Sequence, residues 1–440
     1  MSKSDNEQDN EDVVVEPQLR MVPSYDVSDK SFLLAHSSSA EELNQAKVFI
    51  LEQIEKDEMA PYYKYLTTKY LPEQAEQRDN TNNNSNSNTT TTTTTTTEQV
   101  IAFDSVYYEK LVNKNNENIK ILKDKLEVLK TNDEGPLEIA NAWIELGQYY
   151  VQIADFENAE KILLGDALSF AISMGAKIDI YFMMLRLAFF YNDFAYIKEK
   201  LDTVNSLIEK GGDWERRNRF KTYLGIYSLA IRDFKKSAEL LVDSLATFTS
   251  IELTSYENIA MYASVAGLFA LERTDLKLKI IDSPELLSLI TSTPALQSIS
   301  SLTIALYTSD YASFFPLLLE TYDKVLLPCK YLNKHADYFV REMRRKVYAQ
   351  LLDSYKTLSL KSMAHSFGVS VEFLDNDLGK FIPNKQLNCV IDRVNGIVET
   401  KRPDNKNGQY HQLIRQGDGL LTKLQKYGAA VKLTGSDYVA

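Results

Sequence analysis

The sequence predicts an all-α chain: a tetratricopeptide-like helical-repeat solenoid, then a winged-helix module, then a C-terminal helix. Three patterns lead there. Trp143-x2-Leu146-Gly147-x2-Tyr150, with Ala159 beyond it, has the residue types and spacing of a helix-turn-helix repeat unit. An Asp followed by an apolar or aromatic residue recurs at Asp155-Phe156, Asp193-Phe194, Asp233-Phe234, Asp275-Leu276 and Asp310-Tyr311, at intervals of 38, 40, 42 and 35 residues. Further on, three helical stretches precede two β-prone runs joined by Asn395-Gly396, which is the order of a winged helix.

Taken in order, residues 1–30 read as a disordered acidic tail, because the first 20 hold six acids, two bases and few core-forming side chains. Residues 31–79 read as N-terminal helices. Ser38 or Ser39 is placed to cap one carrying Leu43, Ala46, Phe49, Ile50 and Ile54 at helical spacing. Residues 80–99 read as a disordered linker: positions 80–97 are all Asn, Ser or Thr and offer no apolar surface to offset ordering entropy.

Residues 100–337 form the expected solenoid. Each repeated Asp is expected to cap the second helix of a pair, with its apolar neighbour packing back on the first. Gly147 permits close helix contact, and Leu224-Gly225 repeats the pair at the same distance from Asp233. Pro284, Pro294, Pro316 and Pro328 are expected at boundaries. Stacked units of this kind make an extended curved platform.

Residues 338–402 form the expected winged-helix part. A first helix carries Phe339, Met343, Val347, Leu351 and Tyr355, and a second carries Leu360, Met363, Ala364 and Phe367, with Gly368 suited to its C′ position. Ser370 is placed to cap a third, with Leu374, Leu378, Phe381 and Ile382 on one face and Pro383 ending it. The hairpin Cys389–Val394 and Ile397–Thr400 is expected to turn through Asn395-Gly396 in a type I′ geometry. Residues 403–440 form a C-terminal helix and tail. Leu413, Leu420, Leu424 and Tyr427 lie on one side and Leu421 beside them. This stripe needs cover, either from its own domain or from another chain.

The chemistry is sparse. Gly379-Lys380 lacks the rest of a phosphate loop, and there is no G-x-S-x-G, H-E-x-x-H or H-x-H. His36, His335, His365 and His411 are far apart, and Cys329 and Cys389 read as reduced core thiols of a cytosolic or nuclear protein. The expectation is no enzyme, no metal and no cofactor. With 49 basic and 61 acidic residues the formal charge is −12, which disfavours broad nucleic-acid binding. The third helix of the winged module, Val371 to Lys380, sets Glu372, Asp375 and Asp377 against one Lys380, so protein binding suits it better than DNA. No apolar run is long enough to span a membrane, and the acidic N-terminus is not a signal peptide.

Two basic clusters stay open. Asp213 is expected to cap a helix whose Arg216, Arg217 and Arg219 form a solvated face or, with Trp214, a partner anchor. Arg341, Arg344, Arg345 and Lys346 pair either with acids of the same chain or with a neighbour.

A helical solenoid ending in a winged helix resembles the PCI-domain family, shared by subunits of the proteasome lid, the signalosome and translation initiation factor three. Met59–Tyr65, Glu209–Arg219, Asp243–Ser255, Ile281–Glu285, Arg341–Lys346 and Phe381–Lys385 resemble its proteasome-lid members most closely. The likeness runs from about Val22 to the C-terminus and breaks only at the Asn/Ser/Thr tract. It implies a non-catalytic scaffold of the 26S proteasome regulatory particle in cytoplasm and nucleus, supporting ubiquitin-dependent degradation within a hetero-oligomer. The implied partners are other lid PCI subunits and the deubiquitinase subunits through a shared helical bundle, with contact to the ATPase ring. Leu413, Leu420, Leu421, Leu424 and Tyr427 would then be bundle contacts, and Val390, Ile391, Val394 and Val398 would lie at a lateral contact of the winged helix. The alternatives are a signalosome subunit or a nucleic-acid-binding PCI protein.

Overall fold

The computed structural model describes residues 22–36, 39–71, 101, 103–132, 135–171, 173–401 and 406–436. The expected tail up to residue 20 and the Asn/Ser/Thr tract lie outside the described residues. Two compact units are present: one of residues up to Ser309 with Pro316–Val340, the other of Asp310–Phe315 with the chain from Arg341 onward.

The first unit begins earlier than the sequence suggests. Helix α1 (Tyr25–His36) occupies the end of the segment read as tail. It is followed by α2 (Ala40–Asp57) and α3 (Ala60–Tyr65), which runs on as a wider turn through Leu66–Tyr70. These helices are not a separate domain. Val27, Ile50, Ile54, Tyr62 and Leu66 share one core with Leu146, Leu163, Ile180 and Leu187 of the repeats. The amine of Lys330 donates to Ser28 Oγ at 2.6 Å and to the Phe189 carbonyl at 2.9 Å, tying α1 to chain more than a hundred residues away on either count.

Helix α4 (Ser105–Thr131) starts at Asp104, whose carboxylate accepts from the Val106 and Tyr107 amides. Helix pairs follow: α5 (Pro136–Gln152) with α6 (Phe156–Glu160, extended through Lys161–Ala167), α7 (Met174–Tyr191) with α8 (Phe194–Gly211), and α9 (Trp214–Ala230) with α10 (Phe234–Ser244). Helix α11 (Tyr256–Ala270) pairs with α12 (Arg273–Leu276, extended through Lys277–Ile281), and α13 (Pro284–Ile290) and α14 (Pro294–Thr308) come next. Asp155, Asp193 and Asp233 each accept the amide three residues on, as caps do. Asp310 does the same for Ser313 at the start of α15 (Tyr311–Thr321). Asp275 does not. Glu272 holds the N-cap position of α12, so Asp275 lies inside the helix.

The glycines set the helix spacing. A Cβ on Gly147 would stand 2.2 Å from Leu163 Cδ2, and one on Gly225 would stand 2.5 Å from Leu241 Cδ2. Both pairs are sixteen residues apart in sequence, so the Leu-Gly signature marks the same contact in two repeats. Gly267 meets Ile280 in a third, which the sequence reading missed. Of the prolines, Pro284 and Pro294 begin helices, whereas Pro316 sits inside α15 rather than at a boundary.

Of the arginine cluster near residue 216, Arg219 and in part Arg216 are internal, whereas Arg217 is exposed and donates to the Gly212 carbonyl. Arg219 is buried and pairs with buried Glu252 at 2.8 Å, while Arg216 grips Asp179 at 2.6 Å. Tyr223 OH donates to the same Glu252 carboxylate, and Arg219 lies over the Phe182 ring. Asp213 occupies the N-cap position of α9 but makes no cap bond through its side chain; its carboxylate goes to Arg216. Trp214 and Arg217 keep the exposure that a partner anchor needs.

In the second unit, α16 (Ala336–Ser354) supplies its residues from Arg341 on. Strand β1 (Thr357–Ser359) follows, then α17 (Leu360–Phe367), α18 (Val371–Phe381), β2 (Cys389–Asp392) and β3 (Ile397–Thr400). Ser359 and Ser370 cap α17 and α18, and Gly368 ends α17 at φ +64°, in the left-handed region a C′ glycine supplies. Tyr311 and Phe315 join this unit because their rings pack on Phe367, at 5.1 and 5.5 Å between centroids. Helix α19 (Lys406–Ser436) completes the described chain.

Candidate interaction surfaces

The sheet order is β1-β3-β2, all antiparallel, so β3 is central and β2 an edge. β1 was not foreseen, and it changes the reading of the hairpin. Val398 stands on β3 between Leu358 and Ile391, its register partners, and is 0% exposed. It is a core residue and not a contact residue. Because strand side chains alternate between faces, Cys389 and Ile391 point with Val398 toward the interior, and Val390 points away. Val390 and Val394 are exposed, the latter 94%, while Ile391 is only partly accessible.

The turn also differs from the expected two-residue type. Asp392 pairs with Ile397, leaving a four-residue loop, Arg393–Gly396. Gly396 alone among the loop residues has positive φ, at +65°. Asp392 organises the loop by accepting from the Val394 and Asn395 amides and from Asn395 Nδ2. The Asn395 side-chain bond, chiefly, holds the Asp392 carboxyl below its usual range. Arg393 closes the surface by pairing with Asp375 of α18 at 2.9 Å.

The charge on α18 is less hostile than its sequence count. Asp377 is buried and spent internally, accepting from Tyr348 OH and pairing with Arg344 at 3.2 Å. Burial, and then the Asp377 charge, push the Tyr348 phenol up. The second basic cluster thus pairs with its own chain: Arg344 with Asp377, and Arg345 with Glu342 at 2.7 Å. Burial and neighbouring Arg345 pull the Lys346 amine down to about 8.

Helix α19 is 31 residues long, roughly 46 Å at 1.5 Å per residue. Its residues 406–431 are exposed on every side. Leu413, Leu420, Leu421, Leu424 and Tyr427 are 56–74% exposed. The helix adds members that the sequence reading did not single out: Tyr410, Ile414 and Val431. Positions 410, 413, 417, 420, 424, 427 and 431 alternate steps of three and four, the a/d spacing of a two- or several-stranded coiled coil. Gly417 at one of these positions leaves room for close approach.

Energetics argue that this helix is made for a partner. Gly417, Gly419 and Gly428 each cost about 1 kcal/mol against alanine in a helix interior. A solvated helix gains little back, since most helical stability in proteins comes from packing an apolar face. Cover from the same chain, one of the two options open in the sequence, is not what the described residues show.

Among the described residues no group of three His, Cys, Asp or Glu is arranged to hold a metal. Cys329 and Cys389 are free and buried, and burial raises both thiols, Cys329 to about 11. No helix among the described residues is long and apolar enough to cross a membrane.

With this geometry in place, comparison with known proteins is specific. Residues 104–279 match the family described as 26S proteasome subunit RPN7, and residues 319–402 match the PCI domain. Residues 409–431 match the RPN7/PSMD6 C-terminal helix of 26S proteasome regulatory subunits, the same stretch that carries the exposed stripe. The chain is 66% identical over 426 residues, 97% of each chain, to the 26S proteasome regulatory subunit RPN7 of Saccharomyces cerevisiae. It is 39% identical over 416 residues, 94% of this chain and 97% of the relative, to that of Schizosaccharomyces pombe. Subunit 1b of the COP9 signalosome complex of Drosophila melanogaster is more distant, 22% identical over 326 residues, 73% of this chain and 61% of its own length.

Proposed function

The chain belongs to the family of 26S proteasome subunit RPN7, and from that premise we propose that it is a non-catalytic scaffold of the regulatory particle's lid. It supports assembly, and through assembly ubiquitin-dependent degradation, in cytoplasm and nucleus. The observation that carries this reading is the uncovered a/d stripe of α19, lying within the residues matched to the family's C-terminal helix. Such a stripe is satisfied by other helices in a bundle, and the partners are the other PCI subunits and the deubiquitinase subunits of the lid. The edge strand β2, with Val390 and Val394, provides a second, lateral contact to a neighbouring winged helix. A contact with the ATPase ring belongs to the same reading.

The test is truncation after Arg402. The shortened chain should be recovered outside the particle, whereas unchanged incorporation would remove the bundle. The signalosome reading is weaker because the relative of that kind is far more distant than the proteasome subunits. Nucleic-acid binding is disfavoured by the overall charge of −12, although the burial of Asp377 removes part of the argument made from α18.

A further inference from the structure

Helix α1 is held to the repeats at a junction where charge is poorly matched. Its Ser28 hydroxyl donates to the Phe190 carbonyl of α7 at 2.8 Å. The Lys330 amine, from the loop before α16, reaches that hydroxyl oxygen and the Phe189 carbonyl, and both acceptors are neutral. Among the described residues no ion pair joins Lys330 to a carboxylate. Every element packed here brings ionisable groups. From α1 come Asp29, with Asp26 and Lys30 beside it, and Tyr25. Arg186 of α7 and Glu252 of the loop before α11 share the wall of a small cavity with Lys330, and Glu252 is already paired with Arg219. Cys329 and Tyr331 flank Lys330 in sequence, and Tyr262 of α11 meets Cys329. Two cations, Lys330 and Arg186, thus face one enclosed space, and Asp29 is the carboxylate whose charge acts on Lys330.

We propose that α1 is a releasable strap, docked least firmly near neutral pH, which leaves α7 and the Lys330 loop while the repeats beneath it stay folded. Docking takes an ammonium and a carboxylate out of water without bringing them into contact, so the desolvation cost exceeds their attraction. Val27, Phe32 and Leu34 are buried and keep the docked form the ground state. Opening is then a local event confined to a weakly held segment. Titration gives the strap its pH dependence. Burial, opposed by the Lys330 charge, raises Asp29 from 3.8 to about 6, and burial, opposed by the Asp29 charge, lowers Lys330 from 10.5 to about 8. Between 3.8 and about 6 the docked form holds more protons on Asp29 than the released form, so docking weakens as pH rises. Between about 8 and 10.5 the released form holds more on Lys330, so docking strengthens as pH rises. The minimum lies between about 6 and 8.

Native-state hydrogen exchange of the full chain tests this at about pH 5, 7 and 9, with rates corrected for the intrinsic pH dependence of exchange. The amides of α1 are read against those of α9 and α10. Protection of α1 should be lowest at the middle pH and about tenfold higher on either side, the size those two titrations give, while α9 and α10 show no such minimum. Asp29→Asn should flatten the acid arm alone, and Lys330→Met the alkaline arm alone while raising α1 protection at neutral pH. Three outcomes would overturn the proposal. One is an α1 profile with no neutral minimum. Another is α1 protection equal to that of α9 and α10 throughout, which would mean that the helices open only together. The third is α1 protection lowered by Lys330→Met at neutral pH, which would mean that the two hydrogen bonds outweigh the desolvation. If either variant fails to fold, the profile of the unaltered chain decides alone.

Discussion

Replacing Leu420 and Leu424 together by alanine tests the bundle more cleanly than truncation does. The two side chains are 61% and 63% exposed and face the same way, four residues apart. Each substitution removes the equivalent of three methylene groups, about 2.4 kcal/mol if fully transferred from water to an interface. Only the exposed three-fifths or so of each side chain remains to be buried, which leaves about 1.5 kcal/mol per site and about 3 kcal/mol for the pair. That is roughly a hundredfold loss in affinity. The helix itself cannot be the casualty, because alanine is the strongest helix former. The assay is equilibrium binding of the tagged chain to lid particles assembled without it, beside thermal unfolding of the isolated chain. The expected result is the hundredfold loss with an unchanged midpoint, and no loss for Arg415→Ala with Gln425→Ala on the opposite face. Undiminished binding would refute the bundle. A midpoint lowered by several degrees would refute the premise that the stripe is uncovered in the free chain.

Other outcomes follow from the interior. Gly147→Ala should cost about 1–3 kcal/mol by overpacking Leu163, measured by urea unfolding, and should cost much less when made in a chain already carrying Leu163→Ala. Glu252→Ala should cost up to about 3–5 kcal/mol by leaving buried Arg219 with only Asp179, at 3.5 Å, and Arg219→Met added to it should restore part of that loss. Val398→Asp should abolish folding of the winged helix as read by hydrogen exchange, while Val394→Asp should leave the fold intact and weaken only assembly. Burial lowers Lys330 from 10.5 to about 8. Above about 8 the unfolded chain therefore holds more protons than the folded one, so this group makes stability rise with pH from about 8 toward 10.5. The unfolding midpoint should show that rise between pH 8 and 9.5, and Lys330→Met should flatten it.

The parts of this fold legible in the sequence are those in which one short-range rule decides. Asp155, Asp193 and Asp233 cap helices because a carboxylate three residues from an amide needs nothing else. Asp275 fails because Glu272 had already begun the helix, a choice of start that the dipeptide does not encode. The three residues of β1 are too few to show alternation, and without β1 the strand carrying Val398 looks like an edge rather than the centre. The partner of Arg219 lies 33 residues away on a loop, so no local pattern distinguishes it from a solvated arginine. Asp377 was counted as surface charge for the same reason, since Arg344 comes from a different helix.

Helix α7 and helix α19 show why periodicity marks a surface only when the surface is one-sided. On α7 Ile178, Phe182, Leu185 and Phe189 are buried, and so are Ile180, Met184 and Leu187 around the rest of its circumference. A helix sandwiched between neighbours has no solvent face to break the pattern, so its place in the stack is fixed by contacts such as Phe182 on Tyr223 of α9, 4.9 Å between ring centroids, and not by an apolar stripe. Helix α19 has a clear stripe at heptad spacing, yet no described residue covers residues 406–431. Its polar face is set for water, while its apolar face is left open by the described residues. A one-sided pattern on a helix that the described residues leave open is what the proposed intermolecular contact rests on, in the way the all-round pattern of α7 marks an intramolecular one.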